Sequence, residues 1–354
     1  MDLCFNQDAR FTRWIVANDL LAEPFVVIDI GVQGGENPRW HLLGNRLVVH
    51  GFDAIEEVIR DLRKGNAYDG ESRHYHWIAA SSEDGERDFF FRVDDPCSSS
   101  LYQPGVDRHS VDGRKPWQAR RVPVRKLDTL LEQGVIPPAD FIKVDVEGFE
   151  KHVLGGAQKL LARGILGMEI ESNFSISPEY PTSHFGLVQD LVRPHGLLVF
   201  DLNFNRIPRW TFQQALQRAG FSPVVDQQTV GRISTMNVLL CRDFTEEADH
   251  PDHFAMPPPP FTLDQITKLM IIYELHGLND VAVDTAERFR DRLRPRLDVD
   301  EAIRLLANPE CRDPQRRLPT VLEPVLQQLS RTRLGALAGA LARRAARVRH
   351  RYMR

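Results

Sequence analysis

Between residues 140 and 164 the hydrophobic pattern changes period. Phe141, Ile142, Val144 and Val146 are apolar on both faces of an extended segment, interrupted only by Lys143 and Asp145, as in a strand covered by helices on both sides. Beyond Glu147-Gly148, the residues Phe149, Val153, Ala157 and Leu160 recur at spacings of four and three, which predicts a helix over 148–163 stopping at Gly164. Further short apolar runs predict strands at 25–30, 47–53, 75–80, 165–171, 197–202 and 235–241, with a strand-like stretch at 88–93. Helical spacing appears at 9–22, 55–64, 185–193 and 211–219, and Asp128 is placed to cap a short helix ahead of the 141–146 strand. This alternation predicts an α/β sheet with a hairpin-like end.

The charges sit where such a sheet binds ligands. Asp145, Glu147 and Glu150 crowd a strand-to-helix junction, where the carboxyl end of a parallel strand meets the positive end of a helix dipole. Unpaired charges at a buried strand end cost roughly several kcal/mol, so the cluster calls for a partner. The plainer account pairs Lys143 with Asp145 and leaves the glutamates to favour the helix start. The first strand runs into Asp29-Ile-Gly-Val-Gln-Gly-Gly35, a turn whose glycines allow close backbone approach to a ligand. Its spacing is not Gly-x-Gly-x-x-Gly, which counts against a nicotinamide dinucleotide. The second strand closes on Asp53, roughly 20 residues after the glycine turn, as expected of a carboxylate that holds a ribose diol. Glu169 and Glu171 share one face of the 165–171 strand and aim at substrate hydroxyls or at solvent. His74 and His76 alternate on a strand without a third ligand at metal spacing and read as structural.

The run Phe-Ile-Lys-Val-Asp-Val-Glu-Gly-Phe-Glu at 141–150, followed by Val-Leu-Gly-Gly-Ala at 153–157, resembles the signature of the FkbM family of S-adenosylmethionine-dependent methyltransferases. The resemblance spans residues 25–243. It implies a doubly wound, mostly parallel seven-stranded sheet with one antiparallel strand, the Rossmann-like class I methyltransferase fold. It also implies S-adenosylmethionine as cofactor and O-methylation of a sugar, glycan or glycolipid hydroxyl. Asp29, Gly31 and Gly35 match the family's acid-and-glycine turn, while Gln33-Gly34 falls in a variable part. Where the family more often has Phe-Glu-Pro, this chain has Phe52-Asp53-Ala54; Asp53 keeps the ribose role. Ala80 and Ser81, at the end of the third strand, are assigned to the adenine, and Ser99 belongs to a Ser-Ser-Leu element that lies near the cofactor in the family. Asp145, with Glu147 beside it, would orient the acceptor hydroxyl or take its proton, with Lys143 tuning both. A divalent ion between Asp145 and Glu147 is left open. The rival readings are a nicotinamide-dependent oxidoreductase, which lacks a Tyr-x-x-x-Lys pair here, and a non-catalytic adaptor in glycan synthesis, against which stand the acids at three strand ends.

Length and charge add the outer organisation. At 354 residues and 40.5 kDa the chain has room for a large core and an appendage. Met256 and four prolines mark a linker over 244–261, which separates a methyltransferase domain at 1–243 from a helical appendage at 262–330. Helices are expected there at 262–276, 280–292, 299–307 and 321–329. Residues 331–354 hold eight arginines and no acid, with apolar residues at helical spacing. That pattern predicts a basic amphipathic tail for an anionic membrane surface or a solvated end. Nucleic acid ranks third, because no aromatic platform accompanies the arginines and the net charge is −4. Four scattered cysteines give no disulfide framework or zinc site, and no apolar stretch is long enough to span a bilayer. A cytoplasmic protein, peripheral at the inner membrane surface if the tail adsorbs, is expected. Its oligomeric state is left open.

Overall fold

The structure, a computed structural model, describes residues 3–65, 72–93, 95–103, 117–174, 184–207, 210–220, 231–250 and 261–307. The strands are β1 Phe25–Ile30, β2 Leu47–Asp53, β3 Arg73–Trp77, β4 Ala79–Ala80, β5 Gly85–Phe91, β6 Gln118–Arg125, β7 Phe141–Val144, β8 Gly167–Asn173, β9 Leu198–Ile207 and β10 Arg232–Cys241. The helices are α1 Arg10–Ala17, α2 Glu56–Gly65, α3 Leu127–Glu132, α4 Glu150–Gly155, α5 Gln158–Leu161, α6 Phe185–Val192, α7 Trp210–Arg218, α8 Phe244–Asp249, α9 Leu263–Leu275, α10 Asn279–Arg288, α11 Arg290–Leu293 and α12 Val299–Leu306.

Seven strands form one sheet in the order β3-β2-β1-β7-β8-β10-β9. Strand β10 runs antiparallel to both its neighbours, and the other pairings are parallel. The order reverses between β1 and β7, so the connections leaving these two strands diverge and open a crevice at their carboxyl ends. The protein therefore has the doubly wound class I methyltransferase fold. One face of the sheet is covered by a core that includes Phe11 and Ile15 of α1, Phe25, Phe141 and Leu239. On the other face, Ile28, Ile142, Met168 and Val238 pack with Val153 of α4 and Val188 of α6.

Several local expectations change. The run 75–80 is not one strand: β3 stays in the main sheet, while Ala79 and Ala80 pair with Val124 and Arg125 of β6. Residues 118–125, for which the sequence pattern predicts no strand, form the central strand of a small β4-β6-β5 sheet. Asp128 does not cap its own helix, which starts after Lys126 with no side-chain cap. Its carboxylate instead accepts the N–H groups of Lys159 (3.1 Å) and Leu160 (2.9 Å) at the start of α5. The helix expected over 148–163 is two pieces, α4 and α5, broken where Gly156 packs on Ser81; a Cβ on Gly156 would lie 2.0 Å from the Ser81 carbonyl oxygen.

The described residues all fall within one compact unit, 1–311. The first helix of the expected appendage, α9, is buried along its length and belongs to the core that holds α1. Residues 104–116, the proline run, the helix expected at 321–329 and the basic tail lie outside the described residues. No helix among the described residues is long and apolar enough to cross a membrane. His74 and His76 join His50 in a stacked set on β2 and β3, with His50 Nδ1 and His76 Nε2 3.2 Å apart. Burial first, then the neighbouring imidazoles, pushes His50 down to about 3, so its ring is neutral near pH 7.

Candidate active site

The site forms where β1 and β7 end side by side. Asp29 pairs in register with Lys143, and Lys143 with Glu169 of β8. A charge row therefore crosses the three central strands on one face. Lys143 Nζ lies 3.2 Å from Asp145 Oδ2 and 3.8 Å from Asp29 Oδ1. Burial opposes its charge, but Asp29, Asp145 and Glu169 outweigh that and raise its pKa. Asp29 is 2% exposed. Burial pushes its carboxyl up to about 7, with Lys143 pulling the other way. Gly31 closes the gap between the strand ends. It has φ +84, and a Cβ there would lie 1.9 Å from the Asp145 carbonyl oxygen, so only glycine lets the β1 turn touch the tip of β7.

After Asp145 the chain turns sharply. Glu147 (φ 54) and Gly148 (φ 96) both adopt left-handed backbone, which for a glutamate costs on the order of 1–3 kcal/mol and is characteristic of functional sites. Glu150 holds this turn. Its Oε1 accepts the N–H groups of Gly148 (3.0 Å) and Val146 (3.3 Å). Glu150 is 1% exposed, and burial, only partly offset by these bonds, raises its carboxyl to about 7. Ser100 Oγ donates to the Glu147 carbonyl at 2.9 Å from the other side. Burial and the nearby acids Asp145 and Glu150 also raise Glu147 above the usual carboxylate range. Glu171 rises for the same reason, with Glu147 the foremost acid acting on it. Asp145, Glu147 and Glu171 each offer one oxygen, and these lie within 4.8 Å of one another.

A cavity of about 210 Å³ opens at these strand ends. Among the residues predicted from sequence, it collects Gly31, Asp53, Ala80, Ser99, Lys143, Asp145 and Glu147. Asp53 Oδ1 accepts Ile55 N–H at 2.8 Å; burial lifts its carboxyl to about 6, against the pull of that bond and of Lys143. Ser99 Oγ accepts Arg92 N–H at 3.1 Å. The remaining predicted residues lie elsewhere. Asp29 sits beneath Lys143. Gly35 lines a separate hollow with Glu36, His41 and Tyr75. Ser81 is fully buried against Gly156, and Glu169 and Glu171 stand on β8 beside the acid wall. Sequence reasoning missed the apolar lining: Phe52, Ile55, Ile78, Phe89, Leu101 and Phe149. Phe52, Leu101 and Phe149 lie in stretches singled out from the sequence, the second strand end, the Ser-Ser-Leu element and the signature run, and so carried a signal. Phe89 comes from β5, whose approach to β7 depends on tertiary packing.

Residues 29–195 match the family model described as the Methyltransferase FkbM domain. The chain carries an FkbM methyltransferase domain. No curated protein matches it. Among solved structures, the FkbM methyltransferase from Methylobacillus flagellatus is 14% identical, with a TM-score of 0.33; the likeness covers 61% of this chain and 43% of that one. The chain thus spans less than half the length of that relative. A precorrin-6y C5,15-methyltransferase from Geobacter metallireducens is 10% identical over 65% of this chain and 86% of its own, with a TM-score of 0.30. A SAM-dependent methyltransferase from Methanosarcina mazei is also 10% identical, over 64% and 96%, with a TM-score of 0.29. The signature strand of the FkbM domain is β7, and its glycine turn is the one that meets Asp145.

Proposed function

We infer that the protein is an S-adenosylmethionine-dependent methyltransferase acting on a hydroxyl of a sugar, glycan or glycolipid. The observation that carries this reading is the meeting, in one cavity, of Gly31, Asp53, Ala80 and Ser99 with Lys143, Asp145 and Glu147. The set suits an adenosyl group: Asp53 offers carboxylate oxygens for a ribose diol, and Phe52, Ile55, Ile78 and Phe89 offer apolar surface for a base. When bound, S-adenosylmethionine supplies a methyl carbon that its sulfonium has already made electrophilic. What remains for the chain is to hold an acceptor hydroxyl in line and to take up its proton. Asp145 orients that hydroxyl. Glu147, raised by burial and by its acidic neighbours, is suited to accept the proton near neutral pH, and Lys143 limits the accumulated negative charge. The oxygens of Asp145, Glu147 and Glu171 are also of the kind that hard divalent cations take; transfer measured in EDTA with and without added magnesium decides for or against such an ion.

Calorimetry with S-adenosylmethionine tests the cofactor: no binding at high micromolar concentration rejects it. Mass spectrometry of extracted glycans and lipids tests the acceptor class through the gain of one methyl group. Transfer that survives Asp145→Ala undiminished removes Asp145 from the chemistry. The eight arginines of 331–354, with no acid among them, support a separate proposal of adsorption to anionic lipid. Equal co-sedimentation with anionic vesicles by the full chain and by one cut at Ser330 refutes it.

A further inference from the structure

The three consecutive serines at 98–100 do not share one task. Ser98 Oγ bonds locally, donating to Asp95 Oδ2 at 2.7 Å. Ser99 and Leu101 line the cavity. Ser100, between them, is buried and is turned instead toward the bend that follows β7, as alternation along an extended segment requires. Its backbone is tied to β5 from both sides: Phe90 N–H donates to its carbonyl at 2.9 Å, and its own N–H donates to the Phe90 carbonyl at 3.2 Å. The hydroxyl is committed as well. Its oxygen accepts Tyr102 N–H at 3.1 Å. Its single hydrogen goes to the Glu147 carbonyl at 2.9 Å, with the Val146 carbonyl more distant at 3.5 Å.

The peptide between Glu147 and Gly148 is therefore held at both ends, its carbonyl by Ser100 and its N–H by Glu150 Oε1 at 3.0 Å. Gly148 accepts either hand of backbone at little cost. Glu147, at φ 54, does not: a residue with a Cβ keeps that conformation only while its surroundings impose it. Released, it would return to right-handed or extended backbone. Its carboxyl would then leave the cavity wall and the oxygens of Asp145 and Glu171 that lie within 4.8 Å of its own. Glu150 belongs to the same stretch of chain as the bend, whereas Ser100 reaches it from the small sheet and is the anchor from outside. We propose that Ser100 is a positioning residue, whose hydroxyl holds the Glu147–Gly148 peptide and so keeps the Glu147 carboxyl at the cavity where the methyl group is transferred. The effect on transfer rests on the methyltransferase reading above; the hold on the bend is a property of the free protein.

Hydrogen exchange of the full chain without ligand, followed by mass spectrometry over residues 146–150, tests the hold. The amides of Val146 and Gly148 are protected by Glu150. Ser100→Ala should speed their exchange by about tenfold, the loss of one buried hydrogen bond. Ser100→Thr keeps the hydroxyl and should restore the wild-type rate. If it does not fold, Ser100→Cys, a weaker donor, should fall between wild type and alanine. Ser98→Ala removes a hydroxyl from the same stretch without touching the bend and should leave exchange there unchanged. The consequence for the reaction is read from tritiated methyl passing from S-adenosylmethionine to a total glycan and lipid extract. Ser100→Ala should lower the rate at saturating cofactor by about tenfold, with threonine restoring it, while calorimetry shows S-adenosylmethionine bound as tightly as by wild type. Wild-type exchange in Ser100→Ala, the same acceleration in Ser98→Ala, or undiminished transfer by Ser100→Ala overturns the proposal. A wild-type chain that binds no S-adenosylmethionine removes the methyltransferase reading, and one that binds it but labels nothing in the extract removes the acceptor class. In either case the exchange rates still decide whether Ser100 holds the bend.

Discussion

Asp53 and Glu150 are both buried carboxyls raised by desolvation, yet they answer to different measurements. Asp53 lines the cavity, so in the proposed role its ionised form accepts ribose hydroxyls. Asp53→Ala should weaken S-adenosylmethionine binding by about ten- to a hundredfold, the worth of roughly 1.5–3 kcal/mol for hydrogen bonds to a charged group. Wild-type affinity should fall as the pH drops through about 6, and calorimetry across that range checks both. Glu150 is not in the cavity lining; its Oε1 holds the turn and its Oε2 has no partner. Its folded pKa of about 7 stands above the usual 4.5. A carboxyl raised in this way contributes stability that is fully present below the unfolded value and is lost as the pH climbs through the folded one. Glu150→Gln keeps an acceptor for Val146 and Gly148 without the charge. It should match wild type near pH 4, gain on it by about 1.4 kcal/mol per pH unit up to about pH 7, and hold a constant lead beyond. Urea unfolding at a series of pH values gives the result, and parallel curves would show that Glu150 is paired in a way the turn does not reveal.

At the scale of elements, the tip of β1 and the tip of β7 are one construction. With a Cβ 1.9 Å from the Asp145 carbonyl, Gly31→Ala must push the two tips apart as well as strain a left-handed residue. Both the melting temperature and cofactor affinity should drop, the former by the several °C that a cost of a few kcal/mol produces, at about 2–4 °C per kcal/mol. A variant that binds S-adenosylmethionine as tightly as wild type would mean that the tips adjust independently. This joint was legible in the sequence from both sides, since the glycine turn and the Lys-x-Asp-x-Glu-Gly run each point to a strand end. Their contact was not, because nothing in a linear pattern reports which strand ends are adjacent. The same limit explains the other differences. Tyr75–Ala80 is continuous in hydrophobicity, yet the chain changes sheets after Trp77. Asp128 has the type and position of a cap but serves α5, a helix whose start was hidden inside a longer predicted one. The acids at the strand tips were found because their chemistry is unusual for buried strands. The apolar wall was legible only in part: Leu101 stands in the Ser-Ser-Leu element, whereas Ile78 and Phe89 look like any core residue.

For the whole molecule, the decisive question is whether residues beyond the proline run are an attachment or part of the fold. Helix α9 buries seven apolar side chains, Ile266, Leu269, Met270, Ile271, Ile272, Tyr273 and Leu275, to within rounding of zero exposure. A helix apolar on all sides belongs in a core, and that signal was present at 266–272 although the prolines before it suggested a boundary. At roughly 1.5–3 kcal/mol each, these side chains contribute on the order of 10–20 kcal/mol of burial, as large as the whole net stability of about 5–15 kcal/mol typical of a folded protein. The polar groups of α9 are equally committed. Glu274 accepts Phe11 N–H (2.8 Å), Thr12 N–H (2.7 Å) and Thr12 Oγ1–H (2.7 Å), and so caps α1, whose own first residues supply no cap. Lys268 Nζ donates to the Pro24 carbonyl (2.7 Å) and to Asp140 (2.9 Å), the entries to β1 and β7. A chain ending at Pro260 should therefore leave one face of the sheet bare and α1 uncapped. It is expected to aggregate or to lack a cooperative thermal transition, whereas a chain ending at Cys311, the limit of the first compact unit, should unfold cooperatively near the full-length melting temperature. Circular dichroism melts and size-exclusion chromatography of the two chains decide this. A cooperative transition from the chain ending at Pro260 would mean that the sheet closes without α9 and that burial there adds stability without being required for folding.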